Sequence, residues 1–453
     1  MQREFSAIFG GRKVILEDTE RVATPYGGLA VFVEFLNRIG YLEAVRRHMP
    51  VGLTSRNAIA PEETYTAFLV SVLVGARRFA HAGLLRLDRA LHSLLGIVRF
   101  PTDDTIRNLF RRFTQGKVTE FYENMTRWQM ERLPEREEGY SLDLDSTVFT
   151  RYGQQDGASK GYNPHKPGRS SHHPLLAVLA EAHFFLHGWL RSGNCSSGRG
   201  VSEFLTEALA LLGGKRKIRM VRADSGFFDD KFLSFLEARE LPYIVVAKLT
   251  KQIKSGVAYK IREWRELDST YSVGEFTVKL QGWNCERRIV AIRELIEEKP
   301  TKGRKLLDLP GYTFRMFVTS SSLPPEDVWR EYNHRADMEN RICELKHDLA
   351  ADGFCMKGFY ETEAAFRGIL LLFNLLGEFQ RAAGFSGYQQ PATLRTKVFL
   401  CGAILGCAGR NMVLYMSSAW GGLKSRIPLF DNIMAYVFPA SPKLPPDAAT
   451  APA

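Results

Sequence analysis

The chain has 453 residues, 45% of them apolar, enough for real cores and for roughly two to four structural units. Lys and Arg number 61 against 50 Asp and Glu, a net charge of +11 that favours a polyanionic partner. Six cysteines without CxxC spacing exclude a disulfide framework and a structural zinc site, and no apolar run reaches the ~18–20 residues that cross a bilayer. The N-terminal MQREFSAIFGGRK lacks an apolar signal region, so the expectation is a reduced, intracellular protein with no membrane partner.

Residues 28–133 read as helices, with apolar side chains at helical spacing in LAVFVEFLNRIGYLEAV, PEETYTAFLVSVLVGARR and HAGLLRLDRALHSLLGI. PTDDTIRNLFRRF follows, with Pro101 and Thr102 or Asp103 as the helix start and Thr105, Arg107, Arg111 and Arg112 along it. An Arg-bearing helix after short helices suits a helix-turn-helix-like DNA reader, and suits an ordinary bundle almost as well. The pattern changes near 140. SLDLDSTVF alternates with period two, as a strand does. PLLAVLAEAH and FLHGWLRSG read as a hairpin, Val201 to Leu212 as a helix, KIRMVRAD as a strand, DDKFLSFLEARE as a helix and PYIVVAK as a strand. That β-β-β-α-β-α-β order predicts one mixed sheet flanked by helices.

Residues 249–320 read as β-rich and basic; 231–330 holds 18 of the basic and 13 of the acidic side chains, the largest local excess. The clusters Lys215, Arg216, Lys217, Arg219 and Lys299, Lys302, Arg304, Lys305 read as solvated loops. Helical pattern returns at 325–350 and 361–383, the apolar stretches 393–407 and 428–438 read as terminal helices, and 438–453 as a disordered Pro/Ala tail.

Four carboxylates stand out, at three places in the chain. Asp143 and Asp145, two apart on a strand, share a face, and a polar pair there is costly unless it binds something. Asp224 ends an apolar strand, with Ser225-Gly226 just beyond, where open α/β sheets place their sites; a helix cap is the competing explanation. Glu339 lies in WREYNHRADMENRICELKHDLA, read as one helix. At ~100° per residue, Tyr332, Arg335, Glu339 and Lys346 make one narrow stripe beside an apolar stripe of Met338, Ile342, Leu345 and Leu349, with Asp337, Asn340, Glu344 and Asp348 to solvent. Arg335 and Glu339 are also an ordinary i,i+4 pair.

Carboxylates on two strands and a later helix suit two hard divalent ions, Mg²⁺ or Mn²⁺, at a phosphodiester. Arg335 and Lys346 would hold phosphates beside them. The loop GYNPHKPGRSSHHP adds Lys166 and Arg169 as candidate phosphate contacts, while His165, His172 and His173 have no zinc-like partners.

Tyr332-(2)-Arg335-(3)-Glu339-(6)-Lys346 resembles the Y-R-E-K signature of bacterial insertion-sequence transposases of the IS-four superfamily. Asp224-Ser-Gly226-Phe-Phe228 and Asp145-Ser-Thr147 resemble that family's motifs around its two catalytic aspartates, and the KGYNPHKPGRSSHHP loop looks most like the insertion sequence 1380 group. The resemblance implies an α/β, ribonuclease-H-like catalytic core (mixed sheet flanked by helices) over 136–248 and 321–385, interrupted by a β-rich insertion at 249–320. From its position and helix content, the helical region 1–135 ahead of that core reads as DNA-end binding, and 386–437 behind it as a further helical region. It implies Asp145, Asp224 and Glu339 as a DDE triad holding two Mg²⁺ or Mn²⁺ ions. Tyr332, Arg335 and Lys346 would contact DNA. The partners would be double-stranded transposon-end and target DNA, with a homodimer in the synaptic complex, in the bacterial cytoplasm at the nucleoid. Asp143 competes with Asp145 for the first position, and the Asp-Ser-Thr match favours Asp145. Trp264, Trp283, Tyr312 and Trp329 are candidate aromatics for holding a flipped base. The alternative is a catalytically inactive, transposase-derived DNA-binding protein, which gives no reason for the intact carboxylates and stripe.

Overall fold

A computed structural model describes residues 3–55, 57–214, 216–295 and 312–436. Lys215, Lys299, Lys302, Arg304, Lys305 and the 438–453 tail lie outside the described residues.

The centre is a nine-stranded mixed sheet. In chain order its strands are β1 (Tyr140–Ser146), β2 (Leu175–Leu179), β3 (Phe184–Trp189), β4 (Ile218–Ala223), β5 (Tyr243–Val246), β6 (Arg265–Glu266), β7 (Tyr271–Val278), β8 (Arg287–Leu295) and β9 (Tyr312–Thr319). Across the sheet they run β6-β7-β8-β9-β5-β4-β1-β2-β3. β1, β4 and β5 are parallel, and the other pairings are antiparallel. The helices that matter below are α1 (Asp103–Phe110), α2 (Gln115–Met130), α3 (Val201–Leu212), α4 (Asp230–Glu237), α5 (Pro325–Asn333), α6 (Ala336–His347) and α7 (Phe359–Ala382).

Alternation along β1 divides the sheet's two faces. Leu142 and Leu144 join Val221, Ala223 and Val245 in a core covered by Phe204 and Leu205 of α3 and Phe232 and Leu236 of α4. On the other face Leu176 and Val178 pack under α7, and Ile244, Val290 and Phe317 pack against Val328 of α5. Asp143 and Asp145 belong to this second face, because they pair with Val178 and Leu176.

The described part of 249–320 continues the central sheet. β9 pairs with β5, and β8, β7 and β6 extend the same sheet outward from there. The N-terminal helices share one core with α7: Phe32, Phe35, Phe68 and Phe121 meet Phe366, Phe373 and Phe379. A helix buried nearly all round needs cover on every side. α7 takes it from β3, where Phe185 and Phe373 lie 4.8 Å apart, and from α2, where Tyr122 donates to the Ala364 carbonyl and Gln129 to that of Leu371.

Two helical expectations are amended. Arg3–Ser6 and Lys13–Leu16 form an exposed hairpin, and Val22–Thr24 pairs with Ala403–Ala408, itself hairpinned to Asn411–Met416. A short apolar run such as 403–408 does not by itself distinguish strand from helix. Gly409, at φ +61°, supplies the left-handed residue of the tight turn that decides for a hairpin.

The start expected at Pro101-Thr102 is a Thr102 cap: its Oγ1 accepts from the Thr105 N–H at 3.0 Å. Thr102→Ala is expected to cost about 1 kcal/mol in urea unfolding. An unchanged midpoint would mean the cap carries no weight. Arg107 is occupied on its own helix by Asp103 and Asp104, both at 2.9 Å. Among the described residues no helix is long and apolar enough to cross a membrane.

Candidate active site

β1 and β4 lie side by side in parallel, with Asp143 opposite Arg222 and Leu144 opposite Ala223. The next residues along, Asp145 and Asp224, are therefore neighbours at the carboxyl edge of the sheet, on the face covered by α5 to α7.

Asp143 is committed elsewhere. It is 1% exposed, and both its oxygens are taken by Arg222, at 2.6 Å from Nε and 2.9 Å from Nη2. Arg222 also reaches Glu331 of α5, its Nη1 donating to the backbone carbonyl at 2.9 Å and to the carboxylate at 3.1 Å. Arg219 adds a 2.8 Å bond to the same carboxylate. This network clamps α5 to the sheet.

Asp145 accepts from the Ser146 N–H at 2.7 Å through Oδ1 and meets Arg335 at 2.9 Å through Oδ2. Its pKa is pushed up to about 6. Burial is the largest cause; the Arg335 guanidinium opposes it, and the charges of Asp224 and Glu339 add to it. Two carboxylates from other elements thus act on Asp145. Asp224 accepts from the Gly226 N–H at 2.9 Å, whereas Asp229 caps α4 through the Lys231 and Phe232 N–H groups. Asp224 thus caps only the short turn Ser225–Phe227, and Asp229 caps the helix α4. A Cβ on Gly226 would stand 2.7 Å from the Ser197 side chain, so only glycine admits the 192–200 loop this close to Asp224.

The single helix expected over 329–350 is two helices, separated at His334-Arg335. Arg335, expected to face phosphates, is turned inward instead: it is buried, bonded to Asp145 and to the Leu144 carbonyl at 3.1 Å. Tyr332 packs on Phe317 at 4.8 Å, with the Arg335 guanidinium 5.9 Å from its ring. Glu339 is exposed in the first turn of α6. Lys346, half-buried, donates to the Val148 carbonyl just past β1 at 3.4 Å. Met338, Leu345 and Leu349 are buried as expected, but so is Glu344, read as solvent-facing. The segment after α7 covers that flank, and the Tyr388 hydroxyl donates to Glu344 at 2.6 Å.

Lys166 and Arg169 are exposed on the 147–174 loop, which folds into a small sheet of Phe149–Thr150, Ser159–Lys160 and Ser170–His172. Both cations gather at the exposed Tyr152 ring: Lys166 bonds its hydroxyl, and Arg169 lies 5.9 Å from the centroid. Of the candidate aromatics, Trp283 packs on Phe228, Trp264 on Phe314 and Trp329 on Tyr271, while Tyr312 lies 5.1 Å from the Arg293 guanidinium.

The family model for transposase DDE domain group 1 matches residues 6–434, nearly the whole chain. The chain belongs to that transposase family. No curated protein matches it. A similar solved structure is the cryo-EM structure of a piggyBac transposase synaptic complex with hairpin DNA. It is 13% identical, with a TM-score of 0.43 over 96% of this chain and 91% of that one.

Sequence reasoning missed part of this transposase's site. His173 has no zinc-like partners in the sequence, yet it is buried within reach of Asp224's charge. Its Nδ1 bonds the Cys195 carbonyl at 2.7 Å; a carbonyl only accepts, so Nδ1 carries the proton. Arg191 shapes the 192–200 loop by donating to the carbonyls of His173, Ser196, Ser197 and Arg199. Ser197 in turn bonds Ser146 at 2.8 Å, beside Asp145. A glycine-rich stretch before α3, SGNCSSGRG, was the available signal.

Among the described residues no three His, Cys, Asp or Glu side chains stand close enough to hold a metal as they are. Carboxylate oxygens are the hard donors that Mg²⁺ and Mn²⁺ prefer, and the charges of Asp224 and Glu339 that raise Asp145 are of the sign a cation offsets.

Proposed function

We propose that the chain is the transposase of a bacterial insertion sequence of the IS-four superfamily, most like the insertion sequence 1380 group. It binds the terminal inverted repeats of its element and cuts and rejoins DNA at Asp145, Asp224 and Glu339. One observation carries the reading: Asp145 and Asp224 adjoin on parallel strands, and Glu339's charge is felt at Asp145. The order β3-β2-β1-β4-β5 supports a ribonuclease-H-like core over 136–248 and 321–385, with 249–320 as an extension of its sheet.

Asp145, Asp224 and Glu339 would hold two Mg²⁺ or Mn²⁺ ions, which when bound activate a water or a 3′-hydroxyl and stabilise the leaving oxygen. The chain's own groups prepare that site. Arg335 holds Asp145 in place and offsets the repulsion among the acids, with Tyr332 stacked behind it. Lys346 ties α6 to the end of β1 and leaves a positive charge near the scissile phosphate. Lys166 and Arg169, exposed, take backbone phosphates of the double-stranded end DNA. Residues 1–135 bind the transposon ends, two copies assemble in the synaptic complex, and the reaction takes place in the cytoplasm at the nucleoid.

The test is strand cleavage of inverted-repeat DNA by the purified chain. Cleavage should vanish with a chelator and return with Mg²⁺ or Mn²⁺; survival in chelator would end the metal reading. The pH dependence follows from Asp145. With its pKa at about 6, the ligating carboxylate is formed above that pH, and below it a proton competes with the cation. Mn²⁺ affinity should therefore fall with acidification, about tenfold per pH unit below 6, and stay flat above 7.

A further inference from the structure

A second cluster of charged side chains grips α6 on the flank roughly opposite Glu339. Asp337 meets His183 at 3.2 Å through one oxygen and Arg341 at 3.2 Å through the other. Arg341 also meets Glu344 at 3.0 Å. Glu344's second oxygen accepts from the Tyr388 hydroxyl at 2.6 Å. The Tyr388 ring closes the group, with the Arg341 guanidinium 4.2 Å and the His183 ring 4.4 Å from its centre. Three elements thus converge: α6, the β2–β3 turn that carries His183, and the segment after α7 that carries Tyr388.

The burial of this cluster says that it does more than add stability. Arg341 and Glu344 are both nearly inaccessible, and among the described residues Arg341 Nε and Nη1 have no hydrogen-bond partner, so burying them costs desolvation that the bonds only partly return. Buried ionic groups of this kind are poor stabilisers and better attested as devices that fix register. His183 takes its left-handed backbone, φ +47°, from the turn between β2 and β3 that it closes.

What needs fixing is the rotation of α6. The break at His334-Arg335 separates it from α5, which the Asp143–Arg222–Glu331 network anchors, and Arg335 at the break is held by Asp145. Met338, Leu345 and Leu349 seat α6 on the core through non-directional apolar contacts, and Lys346 ties its last turn to the end of β1; the part of the helix that carries Glu339 takes its directional contacts from this cluster. A rotation of one residue's worth would carry Glu339 away from Asp145.

We propose that His183, Asp337, Arg341, Glu344 and Tyr388 form a brace of positioning residues that sets the rotation of α6 and so the reach of Glu339 toward the cation. The inference rests on the reading of Glu339 as a metal-binding carboxylate.

The test is Mn²⁺ binding to the full-length protein without DNA, followed by electron paramagnetic resonance. Thermal midpoints and inverted-repeat DNA affinity are measured alongside. Tyr388→Phe and Glu344→Gln should weaken Mn²⁺ binding about tenfold and leave DNA affinity unchanged. The comparison variant is Glu363→Gln, which loosens a buried pair with Arg367 on α7, away from α6. It should alter Mn²⁺ binding less than about twofold at a similar loss of midpoint. Should both brace variants fail to fold, His183→Asn serves: asparagine tolerates the left-handed backbone but is too short for the Asp337 contact. Brace variants that lose stability yet bind Mn²⁺ as the parent does would overturn the brace, provided Glu339→Gln weakens binding. If Glu339→Gln changes nothing, the carboxylate reading itself fails and the brace falls with it.

Discussion

Asp224→Asn is expected to abolish strand cleavage, by about 10⁴-fold or more in single-turnover rate, while the protein folds at least as well as its parent. Asparagine keeps the shape and the oxygen that accepts from the Gly226 N–H, so the turn after β4 survives. What disappears is the charge. That charge is one of those that push Asp145 upward, so at neutral pH it is a source of repulsion inside the fold. Removing it relieves the repulsion and removes a cation ligand in one change. Activity and stability should therefore move in opposite directions, as they do where a site is kept under strain for its chemistry. Glu339→Gln should behave in the same way, since it also contributes charge at Asp145 from an exposed position. The measurement is cleavage of end DNA beside a thermal unfolding curve. Residual cleavage within about tenfold of the parent would remove Asp224 from the triad.

The parts of this site that could be read from the chain are those written in local pattern. Period-two alternation placed Asp145 on β1, and the apolar run ending in Asp224 placed it at the tip of β4. The β-β-β-α-β-α-β order then made the two strands members of one sheet. The parts that could not be read depend on partners far along the chain. Glu344 is polar at a position the helical wheel gives to solvent, and its burial is decided by Tyr388, 44 residues away. The break between α5 and α6 has no proline or glycine to announce it; it coincides with Arg335 turning in to pair with Asp145, a contact across 190 residues. The β-rich character of 249–320 was legible, but alternation does not say which edge a strand will join, so its addition beside β5 was not. His173 and Arg191 carry no motif, and their roles follow from a loop whose shape is set by four backbone carbonyls.

The opposite outcome to that at Asp224 is expected two residues before Asp145. Asp143→Ala should lower stability by about 3–5 kcal/mol and leave the cleavage rate of the folded fraction near that of the parent. Asp143 and Asp145 share a face of one strand, so composition and periodicity treat them alike. Their partners do not. Asp143 spends both oxygens on Arg222, and its removal strands a guanidinium that is almost wholly inaccessible. Glu331 remains to Arg222 and should hold the loss toward the lower end of that range. Asp145 keeps one oxygen on a backbone N–H and the other on Arg335, at the sheet edge where Asp224 and Glu339 are felt. Urea unfolding of Asp143→Ala and Asp145→Asn, each paired with a cleavage assay, separates the two aspartates. If Asp143→Ala kept its stability within about 1 kcal/mol and lost cleavage, the first carboxylate would be Asp143. In that case the Asp143–Arg222 pair would have to open for the reaction. Its two short bonds and the further hold of Arg222 on Glu331 argue that it stays shut.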